Sequence, residues 1–171
     1  MPSSKRRAIG ISIHTGWAAC VVVEGSRRDP KIFGNEEIEM LGDAEPFCYH
    51  MAEGMKLEEA KRWIASCRKK ALVNAKRALR PLTEQCRICA LVAKDRDPGT
   101  LEQVLASHPR IHTAEGCFYR DVLRDACDCP VEIVPPSRLD PSTLNSLGKL
   151  AGPPWGRDQK LAALAAWEVL R

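Results

Sequence analysis

The stretch from Ala8 to Glu24 constrains this chain more than any other. Two apolar runs, Ala8-Ile9-Gly10-Ile11 and Trp17-Ala18-Ala19-Cys20-Val21-Val22-Val23, enclose Ser12, His14, Thr15 and Gly16. Small and polar residues between apolar runs mark a tight turn. The β-branched end of the second run favours strand. The pattern predicts a β-hairpin whose first strand and turn present Ser12, His14 and Thr15. A third strand is expected over Lys31–Met40, after Arg27-Arg28-Asp29-Pro30, completing an antiparallel meander.

Downstream the periodicity changes. Leu57, Ala60, Ile64, Cys67, Ala71, Ala75 and Leu79 recur at three- and four-residue spacings, which predicts a helix over Leu57–Arg80 ended by Pro81. Its other faces carry Arg68, Lys69, Lys76 and Arg77, either a solvated face or a phosphate-contacting surface. The segment Gly42–Met55 shows no clear period and reads as irregular. Arg87–Ala93 is a short apolar run suited to a buried parallel strand, leading into a loop with Asp95 and Asp97. A short helix over Thr100–Ala106, a helix over Thr113–Cys127, a strand at Val131–Val134, a helix over Pro141–Leu150 and a last helix over Asp158–Leu170 complete the expected order. Three early strands followed by alternation describe a five-stranded mixed sheet flanked by helices, an α/β fold.

Length and charge bound the rest. With 171 residues, one domain spanning 1–171 is expected, with 1–7 a flexible basic N-terminus. No apolar run approaches the ~18 residues of a membrane span, and polar interruptions from Gly10 onward argue against a secretory signal. The expectation is a cytoplasmic protein with no membrane partner. A net charge of +4 permits nucleic-acid binding without demanding it. The eight cysteines include the close pairs Cys86/Cys89 and Cys127/Cys129, which have the look of half zinc sites. Strand alternation would turn Cys86 and Cys89 apart, so buried free thiols are the preferred reading. Phosphate-loop, dinucleotide and nucleophile-elbow motifs are absent from the sequence.

The element order, with Ala8-Ile9-Gly10-Ile11-Ser12, Thr15-Gly16-Trp17-Ala18-Ala19 and Arg157-Asp158-Gln159-Lys160-Leu161-Ala162-Ala163, resembles the ribonuclease H-like fold and its bacterial Holliday-junction resolvases. That resemblance implies carboxylates from the first strand, a middle element and the last helix, holding Mg²⁺ or Mn²⁺ for phosphodiester cleavage. Residue by residue, it points to Asp158 in the last helix and to Glu115 or Asp95 as the middle acid. Asp158 and Glu115 are the preferred catalytic and metal-binding candidates. At the first-strand position the chain departs from the family, with Ser12 in place of the acid. His14, two residues on, is the third candidate, expected to lie with Ser12 beside Asp158. The expectation is therefore a divergent ribonuclease H-like protein, non-catalytic or with an altered site, that binds nucleic acid or a protein partner. The alternative is a metal-dependent nuclease acting on structured DNA or RNA.

Overall fold

The computed structural model describes residues 6–42, 46–146 and 151–170. Five strands form one mixed sheet: β1 (Arg7–Ile13), β2 (Trp17–Ser26), β3 (Asp29–Glu39), β4 (Ile88–Val92) and β5 (Val131–Val134), in the order β3-β2-β1-β4-β5. The first three are antiparallel to one another, while β4 runs parallel to both β1 and β5. The five-stranded mixed sheet and the parallel placement of the Asp95 strand are as expected. Of the N-terminal segment, residues 1–5 lie outside the described residues. Arg7, expected to be flexible, instead opens β1 and pairs with Glu24 at 2.7 Å.

Side chains alternate across a strand, so β1 serves two layers. Ile9 and Ile11 face one side, with α2 (Leu57–Thr83) and α4 (His108–Ala126). Ala8 faces the other, with Ala162, Ala163 and Ala166 of α5 (Arg157–Val169). Two shorter helices, α1 (Cys48–Ala52) and α3 (Leu101–Leu105), lie outside this frame. Among the described residues no helix is long and apolar enough to cross a membrane.

The stripe expected for α2 is the one it buries: Ala60, Cys67, Ala71, Ala75 and Leu79. The helix nevertheless continues past Pro81 to Thr83. Proline forfeits one backbone donor, but so near the C-terminus little of the ladder follows it. Thr83 Oγ1 donates to the Leu79 carbonyl at 3.1 Å and Glu84 N to Arg80 O at 3.1 Å, securing that last turn. Two further boundaries differ from expectation. The 42–55 segment contains α1 rather than only irregular chain, and α4 begins at His108 instead of Thr113. Pro109 occupies the first turn, where a missing N–H costs nothing. Pro141–Ser146 is a short 3₁₀ segment, and residues 147–150 of the expected helix lie outside the described residues.

The α5 layer depends on Gly10. A Cβ there would lie 1.8 Å from the Ala162 carbonyl oxygen and 2.8 Å from Ala166 N. Backbone cannot swing aside as a side-chain tip can, so the strand and helix touch at this distance only because the position is glycine. We expect Gly10→Ala to lose about 3 kcal/mol or more through overpacking. That corresponds to a fall in Tm of about 10 °C for a chain of this size. A thermal melt unchanged within 2 °C (a threshold set by ~1 kcal/mol) would show that the close approach does not govern the layer.

Candidate functional site

The hairpin turn is three residues, His14-Thr15-Gly16, closed by His14 N donating to the Trp17 carbonyl at 2.9 Å. Gly16 takes a left-handed φ of 86°, as such turns require. Its carbonyl accepts from Met40 N at 2.7 Å and Leu41 N at 3.1 Å, pinning the turn to the end of β3. The His14 ring stacks flat on Trp17, with centroids 4.4 Å apart. The histidine is thereby aimed rather than free.

Across the sheet edge, the start of α5 is anchored separately. Asn35 of β3 donates to the carbonyls of Gly152 and Pro154 at 3.0 and 2.6 Å. Gln159 accepts from Gly156 N at 2.9 Å and donates to Glu37 at 2.7 Å. These hydrogen bonds deliver Asp158 to the hairpin. Its Oδ1 accepts from Ser12 Oγ at 3.0 Å and lies 2.7 Å from His14 Nε2. Burial raises the Asp158 carboxyl, but the hydrogen bonds from His14 and Ser12, with the charge of His14 and Arg157, outweigh it and hold the group below its ordinary value. Ser12, His14 and Asp158 thus come together as expected.

Glu115 does not join them. It sits on α4, in the opposite layer, only 4 % exposed. Its Oε1 accepts from the amides of Tyr49 and His50, at 2.7 and 3.1 Å, and lies 3.2 Å from His50 Nδ1. The expectation that Glu115 faces Ser12 and His14 fails, because the helix phase that buries Ile111, Phe118 and Tyr119 turns it toward α1. Asp95 is exposed at the end of β4, and Asp97 caps the loop by accepting from Gly99 N at 2.9 Å.

Around Glu115 stands a group that the sequence reading missed. His50, His108 and His112 each bring one ring nitrogen to within 4.8 Å of the others. The signal was the His108/His112 spacing of four, legible only once the helix is known to begin before Pro109. The cysteines form no comparable group: the described ligand side chains converge in threes only at these histidines. None of the eight cysteines is in a disulfide, and Cys127 donates to Cys89 at 3.4 Å.

Beside β1 and β4, at the edge where both strands end, a pocket of about 230 Å³ opens. Ile13, Lys94, Arg96, His112, Gly116 and Arg120 are among its lining residues. Ends of parallel strands are where ligands meet open α/β sheets. Of the basic residues expected on α2, Arg68 is paired with Asp125, so its charge is partly spent. Lys69, Lys76 and Arg77 are exposed and have no carboxylate partner among the described residues.

Comparison with solved structures accords with this architecture. RuvC of T. thermophilus in complex with a Holliday junction substrate is similar with a TM-score of 0.57 and 10% identity, over 95% of this chain and 90% of that one. A second Thermus thermophilus RuvC structure gives 0.51 at 10% identity, over 94% and 90%. The fold is ribonuclease H-like. No family model matches the sequence, and no curated protein does.

A ribonuclease H-like fold implies a divalent ion at the end of β1, and the residues there do not fit one. Mg²⁺ and Mn²⁺ ask for hard oxygen ligands with charge. The β1 edge offers a neutral hydroxyl, an imidazole and a single carboxylate, whose Oδ1 is already engaged by both.

Two expectations follow. A carboxyl held low contributes stability that is present above its unfolded pKa and lost as pH falls through the folded one. Thermal melts of the parent and Asp158→Asn should therefore diverge above about pH 4 and converge in stronger acid. A constant gap across that range would deny the carboxylate its part. In Ser12→Asp, two carboxylates would face each other without a cation. That variant should melt lower than the parent and regain stability with millimolar Mg²⁺, while the parent should not respond. Equal Mg²⁺ responses in differential scanning calorimetry would show the hydroxyl to be irrelevant to ion binding.

Proposed function

We propose that this protein is a divergent ribonuclease H-like protein that binds nucleic acid and does not cleave it by two-metal chemistry. The observation that carries the reading is the state of Asp158: its Oδ1 is engaged by Ser12 and His14, at 3.0 and 2.7 Å. Two-metal cleavage needs an anionic ligand shared between ions roughly 4 Å apart. Ser12 supplies no charge at neutral pH, and imidazole is a poor ligand for Mg²⁺. His14 instead acts as the local counter-charge or proton partner of Asp158.

Nucleic acid is the favoured ligand class because the cations that remain available point that way. Lys94 and Arg96 line the pocket where β1 and β4 end, and both are exposed. Arg120 lines the same pocket, its guanidinium steadied by Asp121 at 3.0 Å. Lys69, Lys76 and Arg77 add charge on α2. Such groups neutralise phosphates and make affinity fall with salt. The similar T. thermophilus structure is itself a complex with a Holliday junction substrate, which supports a branched duplex as the first ligand to try.

The test pairs binding with cleavage. Purified protein is incubated with branched DNA, single-stranded DNA and RNA, in Mg²⁺ and separately in Mn²⁺. The expected result is binding without cleavage, with affinity decreasing as salt rises. Lys94→Glu with Arg96→Glu should weaken binding and flatten the salt dependence by about one unit of slope for each phosphate no longer neutralised. Lys69→Glu with Lys76→Glu measures the contribution of α2 in the same way. Cleavage that disappears in Asp158→Asn would overturn the non-catalytic reading in favour of a nuclease. Failure to bind any of the three nucleic acids would overturn the ligand class.

A further inference from the structure

We propose that His50, His108 and His112 form a binding site for a divalent late transition metal, Zn²⁺ by preference, on the α1–α4 side of the molecule. His108 and His112 are four residues apart on α4 and so share a face. Their Nε2 atoms are 3.2 Å apart. A tetrahedral zinc with bonds of 2.0–2.1 Å separates its ligand nitrogens by about 3.3 Å, so this pair already has the required spacing. His50 comes from α1, with its ring centroid 4.7 Å from that of His112 and 5.4 Å from that of His108. All three candidate ligand nitrogens lie within 4.8 Å of one another.

For His50 the neighbouring carboxylate is placed for binding through Nε2: Glu115 Oε1 is 3.2 Å from His50 Nδ1, while Glu53 Oε2, 3.9 Å from His108 Nδ1, brings negative charge near without a hydrogen bond. A carboxylate on the far nitrogen fixes the tautomer and raises ligand basicity, the usual outer layer of a histidine metal site. Glu115 adds an independent sign. It is 4 % exposed, and its Oε2 is buried with no hydrogen-bond partner among the described residues. A buried carboxylate with an unspent oxygen is costly unless positive charge stands close by. A cation held by three neutral imidazoles next to it supplies that charge. Nitrogen donors favour zinc, nickel, copper or cobalt over magnesium. Three histidines leave a fourth position for water.

The site makes no use of Ser12, His14 or Asp158; it shares His112 with the pocket where β1 and β4 end, but its test uses no nucleic acid, so its outcome is read apart from the proposed function. The 171-residue chain, freed of any histidine tag and treated with chelator, is titrated with Zn²⁺, Co²⁺ and Mg²⁺ by calorimetry and thermal melt. The expected result is one Zn²⁺ per chain and a rise in Tm of about 5–10 °C at a hundredfold excess over the dissociation constant. Mg²⁺ should give no shift. Bound Co²⁺ should show the visible bands of a tetrahedral nitrogen and oxygen site without thiolate charge transfer. His108 and His112 are exposed, so His108→Ala and His112→Ala should fold as the parent does, with the same metal-free Tm. Each should weaken Zn²⁺ binding at least about a hundredfold (a loss typical of a missing ligand exceeds the 10–100-fold cost of a missing outer partner). Glu115→Gln should weaken it by about 10–100-fold. No binding by the parent would overturn the proposal. So would binding left intact in both alanine variants, which would put the ion elsewhere.

Discussion

Everything at the open edge of the sheet depends on how closely α5 approaches β1. At Gly10 the backbones of strand and helix meet with no room for a Cβ. The two elements keep step from there. Two residues along a strand advance about 6.7 Å, and four along a helix about 6.0 Å. Ser12, two residues beyond Gly10, therefore meets Asp158, four residues before Ala162. The 3.0 Å hydrogen bond between them is the next rung of the same ladder. The alanines of α5 belong to this arrangement, since larger side chains would hold the helix off the sheet. A local rule of packing thus positions the polar cluster, and the His14–Trp17 stack completes it from the hairpin.

The strongest periodic signals were the most legible. The hairpin, the alternating faces of β1 and the four-residue stripe of α2 follow from side-chain spacing alone, and the sheet they imply is the one observed. The Ser12–Asp158 encounter was also readable, since a first strand and last helix that adjoin leave their polar residues little choice. What escaped was the α1–α4 corner. The helix expected from Thr113 begins at His108, with Pro109 harmless in its first turn, and the late start hid the shared face of His108 and His112. Helix α1 has only five residues and no cap from its own N-cap residue Phe47, so neither periodicity nor a start signal announces it. Its amides are satisfied by Glu115, a partner 66 and 65 residues away. Long-range capping of this kind leaves no local trace.

The two carboxylates that sequence reasoning grouped have diverged by environment. Each faces a histidine, but the surroundings differ. Asp158 is at the sheet edge with a hydroxyl and an imidazole on one oxygen. Glu115 is enclosed, shares one oxygen among two amides and a ring nitrogen, and leaves the other bare. The first arrangement is closed: its charge is answered by groups that belong to the fold. The second is open, because one buried oxygen is unanswered while the other lies 3.2 Å from His50, one of three histidines whose nitrogens converge.

This contrast accounts for what Ser12 does to the fold as well as to the chemistry. Two carboxylates about 3 Å apart repel by roughly 5 kcal/mol at an effective dielectric near 20. A ribonuclease H-like edge built from several acids must therefore recruit cations to be stable, and its folding is tied to its ligand. With Ser12 in the first strand the repulsion never arises. The hydroxyl donates where an acid would repel, and Asp158 becomes the acceptor that ties α5 to β1. An edge arranged in this way answers the charge of Asp158 from within the fold, through Ser12 and His14. The positive charge of the neighbouring loop and helix, at Lys94, Arg96 and Lys69, is then not spent on neutralising acids at the strand ends. It remains directed outward, where phosphates can reach it.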